Sequence, residues 1–261
     1  MKKFYRVVAI ATLAAGFTFT ARAGFFDQLK SAITTTNSAV AAATSAAGLS
    51  QEQMVGGLKE ALGKGVERAV AGLGRDGGFL TNLNVKIPMP EKLQKVESAL
   101  RLAGQNQMAD DFVASMNHAA EKAVPVAAGV FGESIKQMSI ADAKGILSGA
   151  PDSATQFFRK TTQTNLVAKF HPIVQAATDK VGVTASYKQM MTKFNAVNTL
   201  GSLFGKSSVV NLNAADIDTY VTDKALDGLF KMVAEEEKNI RANPVARTTD
   251  LLQKVFGTSA K

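Results

Sequence analysis

Apolar residues recur at helical intervals through most of this chain. From Ser50 onward they follow steps of three and four residues, the spacing that places side chains on one face of an α-helix. Ser50 followed by Gln53 also matches a capping box, in which the two residues exchange side-chain to main-chain hydrogen bonds at a helix start. The pattern predicts a first helix that begins next to Ser50 and buries one stripe, formed by Met54, Leu58, Ala61, Leu62, Val66, Ala69, Val70 and Leu73.

Residues 75–90 interrupt this periodicity. The run Arg75-Asp76-Gly77-Gly78 is typical of a turn, because glycine adopts backbone conformations that other residues avoid. Pro88 and Pro90 restrict the residues before them to extended conformations. The sequence therefore predicts a turn followed by an extended segment over residues 82–90.

The helical pattern resumes after Pro90 and continues almost to the end of the chain. Ser139 with Asp142 predicts a second capping box, and Gly104 and Gly149 are placed where glycine commonly follows a helix end. The expected elements are helices over about 90–104 and 108–123, a start or kink at Pro125, helices over 126–138 and 140–148, two or three helices within 152–197, a loop over 198–213, a long helix over 214–242 and a last helix from Asn243-Pro244 to Gly257.

These elements predict an all-α fold, a single-domain antiparallel helical bundle over residues 50–257 with a short tail at 258–261. No repeat of fixed period is evident, and short connections favour antiparallel neighbours. Fifteen Phe and nine Met lie along the helical stripes and are expected to fill the core. Gly228 lies inside the long helix, where glycine costs about 1 kcal/mol relative to alanine. We therefore expect close packing against Gly228.

The first residues have the order of a secretory signal peptide. Basic residues precede an uncharged stretch from Val7 to Thr20, which is followed by the small-x-small site Ala21-Arg22-Ala23. We expect export by the general secretory route, cleavage after Ala23 and a periplasmic mature protein that begins at Gly24. Residues 24–49 form a low-complexity Ala/Ser/Thr-rich tether, and we expect at most peripheral contact with a membrane.

Composition narrows the function classes further. The chain contains no cysteine, which excludes a disulfide framework, a thiolate nucleophile and a cysteine-ligated zinc site. The formal net charge of +8 falls to +4 when the four basic residues of the signal peptide are removed. Nucleic acid is not an expected partner, because export and the absence of a basic stripe with interleaved aromatics argue against it.

Several stretches between Leu49 and Gly257 share a characteristic order of residues. They are Gly57–Leu62, Ile87–Pro90, Met116–Glu121, Tyr220–Thr222, Ala225–Phe230, Glu235–Arg241 with Asn243-Pro244, and Leu251–Gly257. Together they resemble an uncharacterised bacterial family catalogued as domain of unknown function 4197. The resemblance implies an exported helical protein and no established activity. His118 departs from the pattern expected of the family, which has an arginine at this position.

A set of polar residues is the candidate site, because several of them lie among apolar neighbours or could meet across a bundle. These residues are Asp110, Asp111, Asn117, His118, Glu121, Asp227, Glu236 and Arg241. His118, Glu121 and one of the Asp110-Asp111 pair could in principle ligate a metal, but the full ligand count is not visible, so we predict neither a metal nor a cofactor. Glu121 and Arg241 could instead form a buried ion pair between helices.

The glutamate run at residues 235–237 has a simpler interpretation. Basic residues lie on either side of it along the helix, and Glu237 with Arg241 has the i, i+4 spacing of a surface pair. We therefore expect a solvated helix face here.

The chain contains no recognisable catalytic motif. Neither a Gly-x-Ser-x-Gly elbow nor a Ser-x-x-Lys arrangement with its partner motifs is present, so we assign no catalytic residue. The favoured hypothesis is a non-catalytic envelope protein that binds a partner protein or an apolar ligand. A carboxylate-based enzyme and a membrane-surface helical protein are the alternatives.

Overall fold

A computed structural model of the chain describes residues 50–180, 183–201 and 214–242. Within these ranges it contains no β-strand, and two 3₁₀ turns, Glu91–Leu93 and Val124–Val126, lead into helices. The predicted all-α fold class is confirmed. The α-helices are α1 Gln51–Gly74, α2 Gln94–Leu102, α3 Asn106–Ala123, α4 Ala127–Gln137, α5 Ile140–Ser148, α6 Ser153–Lys180, α7 Val183–Gly201 and α8 Ala214–Ala242.

Local sequence signals set several helix ends as predicted. At the start of α1, the Ser50 hydroxyl accepts a hydrogen bond from the Gln53 main chain, and the Gln53 side chain accepts one from Ser50 N. Ser139 and Asp142 form the same reciprocal pair at the start of α5. Gly104, which follows α2, has a φ of +74°, a conformation that favours glycine.

The buried apolar residues form one core to which all eight of these helices contribute. Phe131 of α4 contacts Phe158 of α6 and Phe230 of α8 edge to face, with ring centroids 4.9 and 5.9 Å apart. Each of these rings is almost completely buried, and full burial of such a side chain stabilises a fold by about 1.5–3 kcal/mol. The expected role of the phenylalanines in the core is confirmed at these positions.

Helices α6 and α8 run antiparallel. Thr155 near the start of α6 contacts Glu237 near the end of α8, whereas Thr178 near the end of α6 donates a hydrogen bond to Asp218 near the start of α8. This pairing has the orientation that the predicted antiparallel bundle requires.

One boundary differs from the predictions, and others lie outside the described residues. Helix α7 continues to Gly201, although a loop was expected from residue 198. The Asn-Thr-Leu sequence before Gly201 lacks proline and lowers helix propensity by only a few tenths of a kcal/mol per residue, so the helix extends. Helix α6 contains Pro172 and is one continuous helix. The predicted signal peptide, the tether and the last helix from Asn243 all lie outside the described residues.

None of the helices that the structure describes is both long enough and apolar enough to cross a bilayer.

Candidate functional site

The turn and the extended chain that follow α1 pack into the core. We refer to residues 79–90 as the Phe79–Pro90 segment. Four of its apolar side chains are buried: Phe79, Val85, Ile87 and Met89 are each at most 7% exposed. Burying a main-chain N–H or C=O group without a hydrogen-bond partner costs free energy. A buried segment without regular secondary structure therefore needs hydrogen bonds from polar side chains of its neighbours.

Asn117 of α3 holds the middle of this segment. Its side-chain Oδ1 accepts a hydrogen bond from Ile87 N at 2.8 Å, and its Nδ2 donates to Ile87 O at 2.9 Å and to Val113 O at 2.8 Å. The side chain is fully buried. One amide group therefore satisfies both main-chain groups of Ile87, as an adjacent strand would.

Glu121 lies one helical turn after Asn117 and holds the start of the segment. Its Oε1 accepts hydrogen bonds from Phe79 N at 3.0 Å and Leu80 N at 3.2 Å. Its Oε2 lies 2.8 Å from His118 Nδ1 on the same helix. Glu121 is only 2% exposed, whereas the His118 side chain is 42% exposed. The carboxylate is thus shared between the main chain of the segment and an imidazole at the surface.

Helix α8 holds the other side of the segment. The Tyr220 hydroxyl donates to Pro88 O at 3.1 Å, and Lys231 Nζ donates to Asn84 O at 2.9 Å. A Cβ atom at Gly228 would lie 2.8 Å from Phe79 Cε1 and 3.2 Å from the Cβ of Val85. The close packing expected at Gly228 is therefore confirmed, and its partner is the Phe79–Pro90 segment.

A second polar cluster joins the end of α8 to the start of α6. Glu237 Oε1 accepts from Ala154 N at 2.9 Å, and its Oε2 accepts from the main chain and the hydroxyl of Thr155 at 2.9 and 2.8 Å. Arg241 donates to Glu237 and to Ile146 O. The first N–H groups of a helix lack partners within it and attract negative charge, so Glu237 acts as a cap supplied from another helix.

A cleft of about 550 Å³ opens between the end of the segment and the first turns of α8. We call it the Tyr220 cleft. It has buried apolar side chains at its base and charged residues at its rim, and burial, followed by the charge of Glu91, raises the pKa of Tyr220. The lining residues are Pro88, Met89, Pro90, Glu91, Lys92, Gln94, Asp216, Ile217, Thr219, Tyr220, Asp223 and Lys224.

A second cleft of about 430 Å³ lies between the segment and helices α2 and α3. Pro88 and Met89 line both clefts. The Phe79–Pro90 segment is therefore a wall shared by two surface depressions, and the residues that hold it also shape them.

The chain matches a known family, described as Protein of unknown function (DUF4197), over residues 48–257. The chain belongs to the DUF4197 family. The matched range contains every helix described above. No curated protein and no solved structure matches the chain.

Three of the stretches that carry the resemblance to DUF4197 contact the Phe79–Pro90 segment, which itself contains a fourth, Ile87–Pro90. Asn117 and Glu121 belong to the Met116–Glu121 stretch, and Tyr220 and Gly228 belong to two stretches of α8. Asn117, Glu121 and Tyr220 each form hydrogen bonds to the main chain of the segment, and Gly228 packs closely against it. These residues from separate stretches of the chain therefore hold one segment of the fold.

The other candidate residues predicted from the sequence do not join this unit. Asp110, Asp111 and Asp227 lie at exposed positions, and Glu236 is half-buried on α8. Each contacts a nearby side chain: Asp110 contacts Arg101 at 2.7 Å, Asp111 contacts Gln107 at 2.7 Å, Asp227 contacts Arg159 at 3.8 Å and Glu236 contacts Arg68 at 3.3 Å. The eight residues therefore do not form one site.

One possibility left open by the sequence of this DUF4197 chain is not realised, and one expectation is wrong. Glu121 and Arg241 do not pair, because Glu121 binds Phe79, Leu80 and His118 while Arg241 binds Glu237 and Ile146. The glutamate run is solvated only at Glu235, since Glu237 is 6% exposed. Glu237 follows Val233 by four residues and precedes Ile240 by three, so it lies on the buried stripe of α8.

The described residues contain no group of three or more His, Asp or Glu side chains that could hold a metal ion. His118 and Glu121 are adjacent, but Asp110 and Asp111 are engaged elsewhere on the surface of α3. The metal arrangement considered from the sequence is not formed by these four residues.

Proposed function

We propose that this DUF4197 protein is an exported, non-catalytic binding protein of the cell envelope, and that the Tyr220 cleft is its binding surface. One observation carries the proposal. The polar residues best placed to do chemistry are bonded to the main chain of the fold, and the segment that they hold forms a wall of an open cleft.

The hydrogen bonds of Glu121 and Glu237 argue against catalysis by these carboxylates. A general acid or base must come within hydrogen-bond reach of the proton that it transfers. Glu121 is 2% exposed and Glu237 is 6% exposed, and both oxygens of each already accept hydrogen bonds or contact an imidazole. Their geometry supports a structural role and disfavours the carboxylate-based enzyme.

The lining of the Tyr220 cleft suits a ligand or partner group with an apolar body. Met89, Pro90 and Ile217 form buried apolar surface, and the half-buried Tyr220 ring lies beside them. Ligand sites typically have volumes of about 300–1,000 Å³, with apolar walls and a few polar groups that fix orientation. The Tyr220 cleft has a volume in this range, apolar side chains at its base and polar groups at its rim.

The proposed export predicts which residue is the N-terminus of the mature protein. Intact mass spectrometry of protein from a periplasmic extract should give the mass of a chain that begins at Gly24, because cleavage is expected after Ala23. The variant Ala23→Tyr, which removes the small residue at the cleavage site, should retain the signal peptide. A wild-type protein that stays in the cytoplasm with its signal peptide intact would contradict the proposal.

Binding can be tested by filling the cleft. Thr219 is an exposed cleft residue of α8, and Thr219→Trp introduces the only tryptophan of the chain. The wild-type protein should bind the neutral apolar dye N-phenyl-1-naphthylamine and enhance its fluorescence, with excitation above the tryptophan absorption band. Thr219→Trp should weaken binding by about tenfold or more, because the indole occupies the apolar space that the dye needs.

Asn239→Trp is the matched control for this experiment, since Asn239 is exposed on the same helix and does not line the cleft. It should bind the dye as the wild type does, and circular dichroism should show the same helix content in all three proteins. Equal dye affinity in the two tryptophan variants would show that the cleft is not the binding surface.

A further inference from the structure

We propose that the Tyr220 cleft selects an organic cation with an apolar body, such as an alkylammonium group. This inference rests on the proposed function and specifies the ligand chemistry of the same cleft. It is supported by the aromatic ring, by the charges at the rim and by the hydrogen-bond state of the phenol.

The face of the Tyr220 ring already attracts a cation from the chain itself. Lys224 Nζ lies 5.9 Å from the ring centroid. Aromatic faces attract ammonium groups because their π-electrons carry partial negative charge, with energies of about 0.5–1 kcal/mol at exposed sites and more where water is excluded. Lys224 therefore marks a position in which a ligand ammonium would be favoured once the cleft is filled.

Among the described residues that line the cleft, three are acidic and two are basic. Glu91, Asp216 and Asp223 line it together with Lys92 and Lys224. A ligand cation that displaces Lys224 from the ring would lie near the carboxylates of Glu91 and Asp223.

The hydrogen-bond state of Tyr220 favours a donor on the ligand. Its hydroxyl proton is directed to Pro88 O at 3.1 Å, so the phenol oxygen presents lone pairs to anything bound beside it. An ammonium group has donors and no acceptor, which complements this oxygen and the rim carboxylates. The buried surface of Met89, Pro90 and Ile217 would receive the hydrocarbon chain.

Two probes of equal chain length test the inference, decylammonium and decanoate, each below its critical micelle concentration. Isothermal titration calorimetry at low ionic strength should give an affinity for decylammonium about tenfold higher than for decanoate. The preference should decrease at physiological ionic strength, because the rim charges are exposed and are screened by salt. N-phenyl-1-naphthylamine serves as the neutral reference.

Variants at the rim should change affinity for the cation in opposite directions. Glu91→Gln and Asp223→Asn should each weaken decylammonium binding about threefold or more, with a smaller effect on the affinity for the neutral dye. Lys224→Met should strengthen decylammonium binding, because it removes the ammonium group that competes for the Tyr220 ring. Lys238→Met removes the same charge from an exposed position of α8 outside the cleft and should have no effect.

The possible outcomes distinguish a failure of the inference from a failure of the proposed function. If the dye binds in the cleft but decanoate binds as tightly as decylammonium, or if Lys224→Met weakens cation binding, the inference is wrong and the proposed function stands. If neither the dye nor either probe binds in a manner sensitive to Thr219→Trp, both are wrong.

Discussion

Replacing Glu121 with alanine should lower the free energy of unfolding by about 3–5 kcal/mol, as measured by urea denaturation of the mature protein. The substitution leaves the main-chain N–H groups of Phe79 and Leu80 without their acceptor in a part of the fold where water has little access. It also creates a cavity next to Phe79, which is fully buried. Both costs arise from the loss of one side chain, and the expected range covers them together.

Two controls distinguish this effect from a general loss of charge. Glu121→Gln keeps an acceptor oxygen for the two N–H groups and should cost less, about 1–2 kcal/mol. Asp111→Ala removes an exposed carboxylate from the same helix and should change stability by at most about 0.5 kcal/mol. Equal stability losses in Glu121→Ala and Asp111→Ala would show that Glu121 does not hold the Phe79–Pro90 segment.

Replacing Glu237 with alanine should have a comparable effect, lowering the free energy of unfolding by about 3 kcal/mol or more. The first N–H groups of α6 lose their cap, and the side chain of Arg241, which is 19% exposed, loses its carboxylate partner. Thermal unfolding monitored by circular dichroism and urea denaturation should both report the loss. Glu235→Ala, at an exposed position two residues earlier, is the matched control and should be nearly neutral.

A binding measurement separates the roles of these two glutamates. Glu237 does not line the Tyr220 cleft, so the folded Glu237→Ala protein should keep the wild-type affinity for N-phenyl-1-naphthylamine. Glu121 holds the segment that forms a wall of the cleft, so Glu121→Gln should weaken the dye affinity although Glu121 itself is outside the cleft. Unchanged dye affinity in Glu121→Gln would show that the contact of Glu121 with the segment does not shape the binding surface.

The helix ends could be predicted from the sequence because their determinants are local. The capping boxes at Ser50 and Ser139 each involve residues three positions apart, and the glycine after α2 needs only its own backbone conformation. The core could be predicted for the same reason, since helical spacing places apolar residues on one face whatever they pack against.

The partners of the polar residues could not be predicted in this way. Asn117 and Glu121 were identifiable as polar residues among apolar neighbours, but they bind main-chain atoms 30 and 41–42 residues away. The main-chain N–H and C=O groups are the same in almost every residue, so the sequence does not identify which of them bind a given side chain. Glu121 and Arg241 were a possible pair on charge alone, which suggests a partner of opposite sign, but Glu121 binds main-chain N–H groups instead.

Glu237 was missed although a signal existed. Its place in a run of three glutamates indicated a solvated face, whereas its spacing from Val233 and Ile240 placed it on the buried stripe of α8. A buried position for an acid predicts that its oxygens accept hydrogen bonds. Which helix N-terminus supplies them depends on the packing of α6 against α8, 82–83 residues apart in the chain.

The central claim is that the polar residues of α3 hold the Phe79–Pro90 segment, and amide hydrogen exchange tests it most directly. In the wild-type protein, the amides of Phe79, Leu80 and Ile87 should be strongly protected, while that of Leu83, whose side chain is 90% exposed, should exchange rapidly. Exchange of all four amides at the rate of Leu83 would contradict the account.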